Sequence, residues 1–211
     1  VVLWRHGQTA WNAEGRFQGQ TDVPLDDVGQ AQARRAAVML ARLQPQRIVS
    51  SDLSRAHSTA MALAHVTGLP VRTDPDLRET NGGGFQGLTG PEIRQRYPAD
   101  WAAWASGDPH HRNPGGGESR TDVAARMLAA VLRAGEDVGD GLCVLATHGG
   151  AARLAVASLI GLPLERVGSL GVISNTAWTM LEQRVGEGAH QWVLVEHNAR
   201  TLPEPVTIEE G

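Results

Sequence analysis

Val1-Val2-Leu3-Trp4-Arg5-His6-Gly7-Gln8-Thr9 opens the chain and decides how the rest of it is read. Four apolar residues, two of them β-branched, predict a short buried strand. A cation, an imidazole and a glycine follow with no spacer. Gly7 permits a sharp turn or a close approach of another group to the backbone. Arg5 and His6 are thereby placed at the carboxyl end of a strand, where open α/β sheets bind their ligands. A positive pair at a strand tip suits an anion. Taken alone, the same residues also read as a surface turn that contains a histidine, so the downstream pattern has to decide.

That pattern alternates strand and helix. Asn12 to Pro24 reads as a loop rich in Gly, Gln and Asn. Asp26 or Asp27 is placed to cap a helix whose apolar positions include Ala33, Ala37 and Leu40, and Pro45 ends it. Ile48 to Ser50 predicts a second strand, followed by a helical run through Met61, Leu63 and Val66 that stops at Gly68-Leu69-Pro70. Val71 to Thr73 is a third strand, leading to Leu77-Arg78-Glu79. Leu142 to Ala146 is another buried strand, ending at Thr147-His148-Gly149-Gly150 before a helix over 151–160. Ala177 to Leu181 and Trp192 to Val195 predict closing strands. Such alternation indicates βαβ units. The expected fold is a three-layer α/β/α sandwich with a mostly parallel sheet, in one domain over 1–211.

Between about 82 and 118 the pattern changes. Thr89-Gly90-Pro91-Glu92 has the form of a capping box, and Trp101 and Trp104 fall in a loose segment that runs to Gly115-Gly116-Gly117. This stretch is expected to be a small lid insertion over the sheet. Ser119-Arg120-Thr121-Asp122 then caps a helix reaching about Ala134. His110-His111-Arg112 reads as a solvated loop in preference to a lid contact with an anionic substrate, and Trp101 and Trp104 as pocket or as anchors for the insertion. The tail from about 200 to 211 is expected to be loose.

Bulk composition excludes several function classes. A formal net charge of -4 over 211 residues argues against non-specific nucleic-acid binding, which needs a basic stripe. No apolar run has membrane-spanning length and no signal peptide is visible, so no membrane partner is expected. The one cysteine, Cys143, lies in an apolar run and reads as a small buried hydrophobe. No disulfide can form within the chain, which fits a cytoplasmic location. Val1 enters a strand at once, as expected if a short native leader precedes this sequence.

Arg5, His6, Arg55, Glu79 and His148 all fall near predicted strand ends and gather on one edge of a parallel sheet. Arginine suits a phosphoryl group because its planar fork donates two parallel hydrogen bonds. Neutral imidazole is a competent nucleophile near pH 7. No ligand cluster for Mg²⁺ or Zn²⁺ is evident, so no metal or other cofactor is expected.

These residues, with their neighbours, resemble the histidine phosphatase, or phosphoglycerate mutase-like, superfamily. The resemblance runs through Leu3 to Thr9 with Asn12, Gln18-Gly19 with Asp22 and Leu25, and Gly29 with Gln32-Ala33. It continues through Ser50 to Leu53 with Arg55-Ala56 and Thr59-Ala60, Leu77-Arg78-Glu79, Gly87-Leu88-Thr89, Gly116 to Ser119 and His148-Gly149-Gly150. It implies that His6 attacks phosphorus and becomes a phosphohistidine. Arg5, Asn12, Arg55 and His148 would bind the phosphoryl oxygens, while Gln18, Gly19 and Gly149 would contact substrate. Glu79 would protonate the leaving alkoxide and then assist water. For that it must carry a proton when the ester is bound, which burial favours and the arginines oppose.

The implied activity is metal-independent hydrolysis of a small phosphorylated metabolite. Gly117 to Arg126 and Asn175 to Thr179 point, within that resemblance, to a substrate joining a sugar and phosphoglycerate. A phosphoglycerate mutase is the alternative, and it is disfavoured because the insertion offers Arg94, Arg96 and Arg112 but no lysine. A non-catalytic binding protein is disfavoured because each position the chemistry needs is filled. A homodimer is compatible with the resemblance alone.

Overall fold

A computed structural model describes residues 1–201 apart from 137, 140, 187 and 188. The tail expected to be loose lies, from 202 on, outside the described residues. Six strands form one sheet: β1 (Val2–Arg5), β2 (Arg47–Ser50), β3 (Val71–Thr73), β4 (Cys143–Thr147), β5 (Trp178–Gly186) and β6 (Ala189–Ala199). Their order is β3-β2-β4-β1-β5-β6. The pairs among β1 to β4 are parallel, and β5 and β6 add antiparallel at one edge. The expected α/β architecture with a mostly parallel sheet is what the chain adopts.

Period-two alternation divides the core between the sheet's two faces. Val2, Trp4, Ile48, Val144 and Ala146 pack on one side with Ala36, Ala37 and Leu40 of α2 (Asp27–Ala41) and Ala60 and Leu63 of α3 (Ser54–Thr67). Leu3, Val49 and Leu145 pack on the other. There they meet Val123, Met127 and Val131 of α6 (Arg120–Glu136) and Ala152, Ala155 and Val156 of α7 (Gly149–Leu159). Cys143 belongs to this second cluster, and burial pushes its thiol up to about 11. Among the described residues, no helix is long and apolar enough to cross a membrane.

The helix ends follow their sequence signals. The Asp26 carboxylate accepts from Gly29 N at 2.7 Å, capping α2. Gly68, at φ 74°, ends α3 in the left-handed region. Thr89 and Glu92 form the expected capping box at the start of α4 (Gly90–Arg96).

Two readings are corrected. The segment holding Trp101 and Trp104 is not loose but a helix, α5 (Pro98–Ser106), closed by Gly107 at φ 90°. Alanines separate its two indoles, and they meet as i, i+3 neighbours with ring centroids 5.3 Å apart. The loop from Asn12 also begins inside a short helix, α1 (Ala10–Ala13), in which Thr9 and Asn12 make a capping box. Asn12 in that third position works as Glu or Gln would, which is why the box was not visible.

Candidate active site

Strand register assembles the site. Arg5 of β1 stands opposite Thr147 of β4, and His6 N donates to Thr147 O at 3.0 Å, so His6 and His148 leave the sheet side by side. Their ring centroids are 5.1 Å apart. On the far side of β4, Ser51 N donates to Ala146 O, which places Ser51 beneath His148.

The loop after His6 is packed backbone to backbone. A Cβ on Gly7 would lie 2.4 Å from Gly29 O, and one on Gly29 would lie 2.0 Å from Gln8 O. Only glycine at both positions lets the His6 loop rest on the first turn of α2. Gly7 N donates to Thr59 Oγ1 at 3.1 Å, and Gly7 O lies 2.6 Å from His6 Nδ1. A carbonyl can only accept, so Nδ1 carries the proton and Nε2 keeps its lone pair. Burial, then Arg5 and then Arg55, hold His6 well below the usual imidazole range. It is therefore neutral at pH 7.

Arg5 donates to Ile173 O at 2.6 Å. Arg55 is fully buried and donates to Thr21 O at 2.8 Å and Gly19 O at 2.7 Å. The Nε of each arginine is buried without a partner. Burial lowers both pKa values, that of Arg55 to about 10, and leaves both charged. His148 is also fully buried, and its Nδ1 lacks a partner. Its Nε2 lies 3.0 Å from Ser51 Oγ, which in turn accepts from Leu53 N at 3.3 Å. Burial, then Arg55 and His6, lower the His148 pKa well below the usual value. The buried Nε–H donors of Arg5 and Arg55, left without a partner beside His148, suit an acceptor from outside the chain.

Asn12 turns its Oδ1 to Thr9 N and to Asn175 Nδ2, both at 3.2 Å. Asn175 Nδ2 also donates to His6 O at 3.1 Å, which ties the two sequence segments together. Glu79 reaches the N-terminus of α7: Gly150 N donates to one carboxylate oxygen and Ala151 N to the other, each at 2.9 Å, and Thr80 N adds a third bond at 2.8 Å. Behind it, Arg126 donates to the carbonyls of Arg78 and Glu79 and clasps Glu118 at 2.7 and 2.8 Å.

A cleft of about 250 Å³ joins these groups, and Arg5, His6, Asn12, Arg55 and Glu79 all line it. Gln18 and Gly19 line it too. Gln18 Oε1 is buried without a partner, whereas the carbonyl of Gly19 is given to Arg55. Gly149 does something different: it is buried, and its missing Cβ makes room for Arg5, 3.3 Å away, while Gly150 faces the cleft.

Trp104, expected as pocket or as an anchor for the insertion, lines the cleft, and so do Asp108, His111, Asn113, Arg120 and Arg153. Of these, Asp108, Asn113, Arg120 and Arg153 were given no part in the site by the sequence. His111, expected in a solvated loop, is partly buried there, while His110 and Arg112 are exposed. Arg94 and Arg96 lie over Trp101 and Tyr97, and Arg112 pairs with Asp122. None of those three lines the cleft. A signal for Arg153 was present: it follows Gly150 at i+3 on α7, and so shares the face that meets Glu79. Among the described residues, no three or more of His, Cys, Asp and Glu cluster as metal ligands.

A neutral imidazole with a free Nε2 just past a parallel strand, under the charge of Arg5 at that strand's tip and of Arg55 on α3, suits phosphoryl transfer of the phosphohistidine type. The profile of the histidine phosphatase superfamily (branch 1) matches residues 1–199, and the chain belongs to that superfamily. It is a phosphatase by kind. It is 44% identical over 200 residues to glucosyl-3-phosphoglycerate phosphatase of Mycobacterium tuberculosis, covering 90% of this chain and 87% of that one. It is 36% identical over 163 residues to a probable phosphoglycerate mutase of Yersinia pestis, covering 77% and 75%. The solved structure of the mycobacterial glucosyl-3-phosphoglycerate phosphatase with VO3 superposes with a TM-score of 0.86 at 40% identity, over 94% and 98% of the two chains.

Proposed function

We propose that the chain hydrolyses a glucosyl-3-phosphoglycerate-type phosphomonoester, with residues 82–118 as a lid over the site. The observation that carries the hydrolytic mechanism is the 2.6 Å contact between His6 Nδ1 and Gly7 O. It leaves Nε2 unprotonated between Arg5 and Arg55. His6 Nε2 attacks phosphorus in line, an N–P bond forms, and the P–O ester bond breaks. The alkoxide leaves with the proton of Glu79. Water then attacks the phosphohistidine, Glu79 takes its proton, and phosphate departs with the N–P bond broken.

Arg5, Arg55 and Asn12 supply donors that strengthen as negative charge spreads over the phosphoryl oxygens. His148 joins them if its Nδ1 carries the proton, and a Ser51 hydroxyl donating to Nε2 selects that tautomer. The 44% identity to a named glucosyl-3-phosphoglycerate phosphatase supports the choice of ester.

The test is phosphate release, without added metal, from glucosyl-3-phosphoglycerate, 3-phosphoglycerate and p-nitrophenyl phosphate, with His6→Ala as control. The reading expects release that disappears in the variant and acid-labile phosphate on His6. Interconversion of 2- and 3-phosphoglycerate without release would make the chain a mutase.

A further inference from the structure

We propose that Arg120 and Arg153 form a second anion subsite, which holds a carboxylate carried by the leaving group of the phosphoester. This rests on the phosphoester reading above and specifies the substrate it takes.

Both guanidiniums line the same cleft as His6, Glu79, Arg5 and Arg55. Neither has a carboxylate within ion-pair distance among the described residues. Each is held instead by backbone oxygens: Arg120 by Trp104 O at 2.8 Å, Arg153 by Val167 O at 3.0 Å and Leu170 O at 2.7 Å. Those bonds steer the side chains and leave their charge unneutralised. Arg153 Nε is buried with no partner at all. The two cations sit close enough that Arg153, after burial itself, lowers the pKa of Arg120. Confining two like charges in one partly dry cleft is unfavourable unless an anion joins them.

The backbone makes room for this arrangement. Gly107 lies at φ 90°, and a Cβ there would stand 3.1 Å from Arg120 Nη1. The carboxylates in the cleft do not use up its positive charge. Glu118 is committed to Arg126, and Asp108 lies near Arg120 without pairing with it. Glu79 is on the α7 N–H groups and must be protonated when it delivers its proton to the leaving oxygen. With Glu79 protonated, Asp108 is the carboxylate left acting on the Arg120–Arg153 pair, and a carboxylate on the leaving group supplies the negative charge the pair lacks.

Position agrees with charge. Arg153 stands one turn beyond Gly150, whose N–H binds Glu79, and feels the Glu79 charge. The leaving oxygen must sit against Glu79 to take its proton. A carboxylate a few bonds from that oxygen falls within reach of Arg153, with Arg120 and the Trp104 indole beyond. Guanidinium forks suit carboxylates for the same geometric reason that they suit phosphate.

The test uses His6→Ala, which cannot turn over, and isothermal titration with 3-phosphoglycerate and with glycerol 1-phosphate. These two esters differ by a carboxylate against a hydroxymethyl group. The subsite predicts that 3-phosphoglycerate binds about 10- to 100-fold tighter, the range for a charged hydrogen-bonded pair. Adding Arg153→Gln should remove most of that preference, and Arg153→Lys should keep part of it. Arg120→Gln gives the same loss independently should Arg153→Gln fail to fold. Equal binding of both esters to His6→Ala, or a preference that survives both glutamine substitutions, overturns the subsite while leaving the phosphoester reading standing. Binding of neither ester overturns both.

Discussion

His6 donates its Nδ1 proton to the carbonyl oxygen of Gly7, 2.6 Å away, so the residue next in sequence decides which ring nitrogen is free to attack. The carbonyl is itself fixed. Gly7 N is tied to Thr59, and Gly7 rests on the backbone of Gly29. The nucleophile is thus oriented by main chain rather than by a carboxylate, and its ring stays neutral. This has a cost that appears at low pH.

Burial holds both His6 and His148 well below the ordinary imidazole value of 6.5. The unfolded chain takes up protons on these rings as pH falls below about 6.5, and the folded chain does not. Stability is therefore unaffected by these groups above that pH and declines below it. Melting temperature measured from pH 8 to 5 should fall more steeply for the parent protein than for His148→Gln, which has lost one buried imidazole. Parallel curves would contradict the assignment.

Glu79 accepts three backbone N–H bonds, and the proposed mechanism has it exchange a proton with the leaving group. Glu79→Gln retains the shape and removes the proton transfer. Turnover of alkyl phosphates should drop by about 10²- to 10⁴-fold. The loss should be much smaller for p-nitrophenyl phosphate, whose leaving group needs no proton. Equal losses on both esters would remove Glu79 from the acid's role.

Ser51 Oγ lies 3.0 Å from His148 Nε2, and in the proposed mechanism its hydroxyl donates there, which keeps the His148 proton on Nδ1. In Ser51→Ala that selection is lost, and both tautomers become accessible. The expected result is a fall of roughly tenfold in kcat, on the scale of one hydrogen bond, with little change in melting temperature. Unaltered kcat would mean that His148 does not act through Nδ1.

Two glycine-to-alanine substitutions should move stability in opposite directions. In Gly29→Ala the new methyl meets Gln8 O at 2.0 Å, which should cost about 1–3 kcal/mol and displace the His6 loop. In Gly135→Ala, inside α6, nothing lies within 4 Å of the new Cβ. That change should gain about 0.4–1 kcal/mol by restricting the unfolded chain. Chemical denaturation of the two variants checks both signs.

The strands and helices were legible because their signals are local. Apolar runs made β1 and β4, Asp26 capped α2, and Gly68 stopped α3. Placing Arg5, His6 and His148 at strand ends needed only the rule that parallel strands share one edge. The nature of the segment around Trp101 was less legible, since alanines between two indoles give no clear apolar stripe. Asn12 in a capping box was missed because a shorter amide did the work expected of glutamate or glutamine.

The sequence by itself determined the fold class and the set of groups for phosphoryl chemistry, since both follow from patterns that lie within a few residues of one another. Only the tertiary structure decided what surrounds them. Register between β1 and β4 set His6 beside His148, and the meeting of Gly7 with Gly29 set the nucleophile's tautomer. It was α7 meeting α6 and the turn after α5 that brought Arg153 to Arg120 across 33 residues of chain. That juxtaposition depends on how helices pack over the sheet's edge. Separation in sequence hides it, because the physical cause is close packing between elements rather than any preference of the residues themselves.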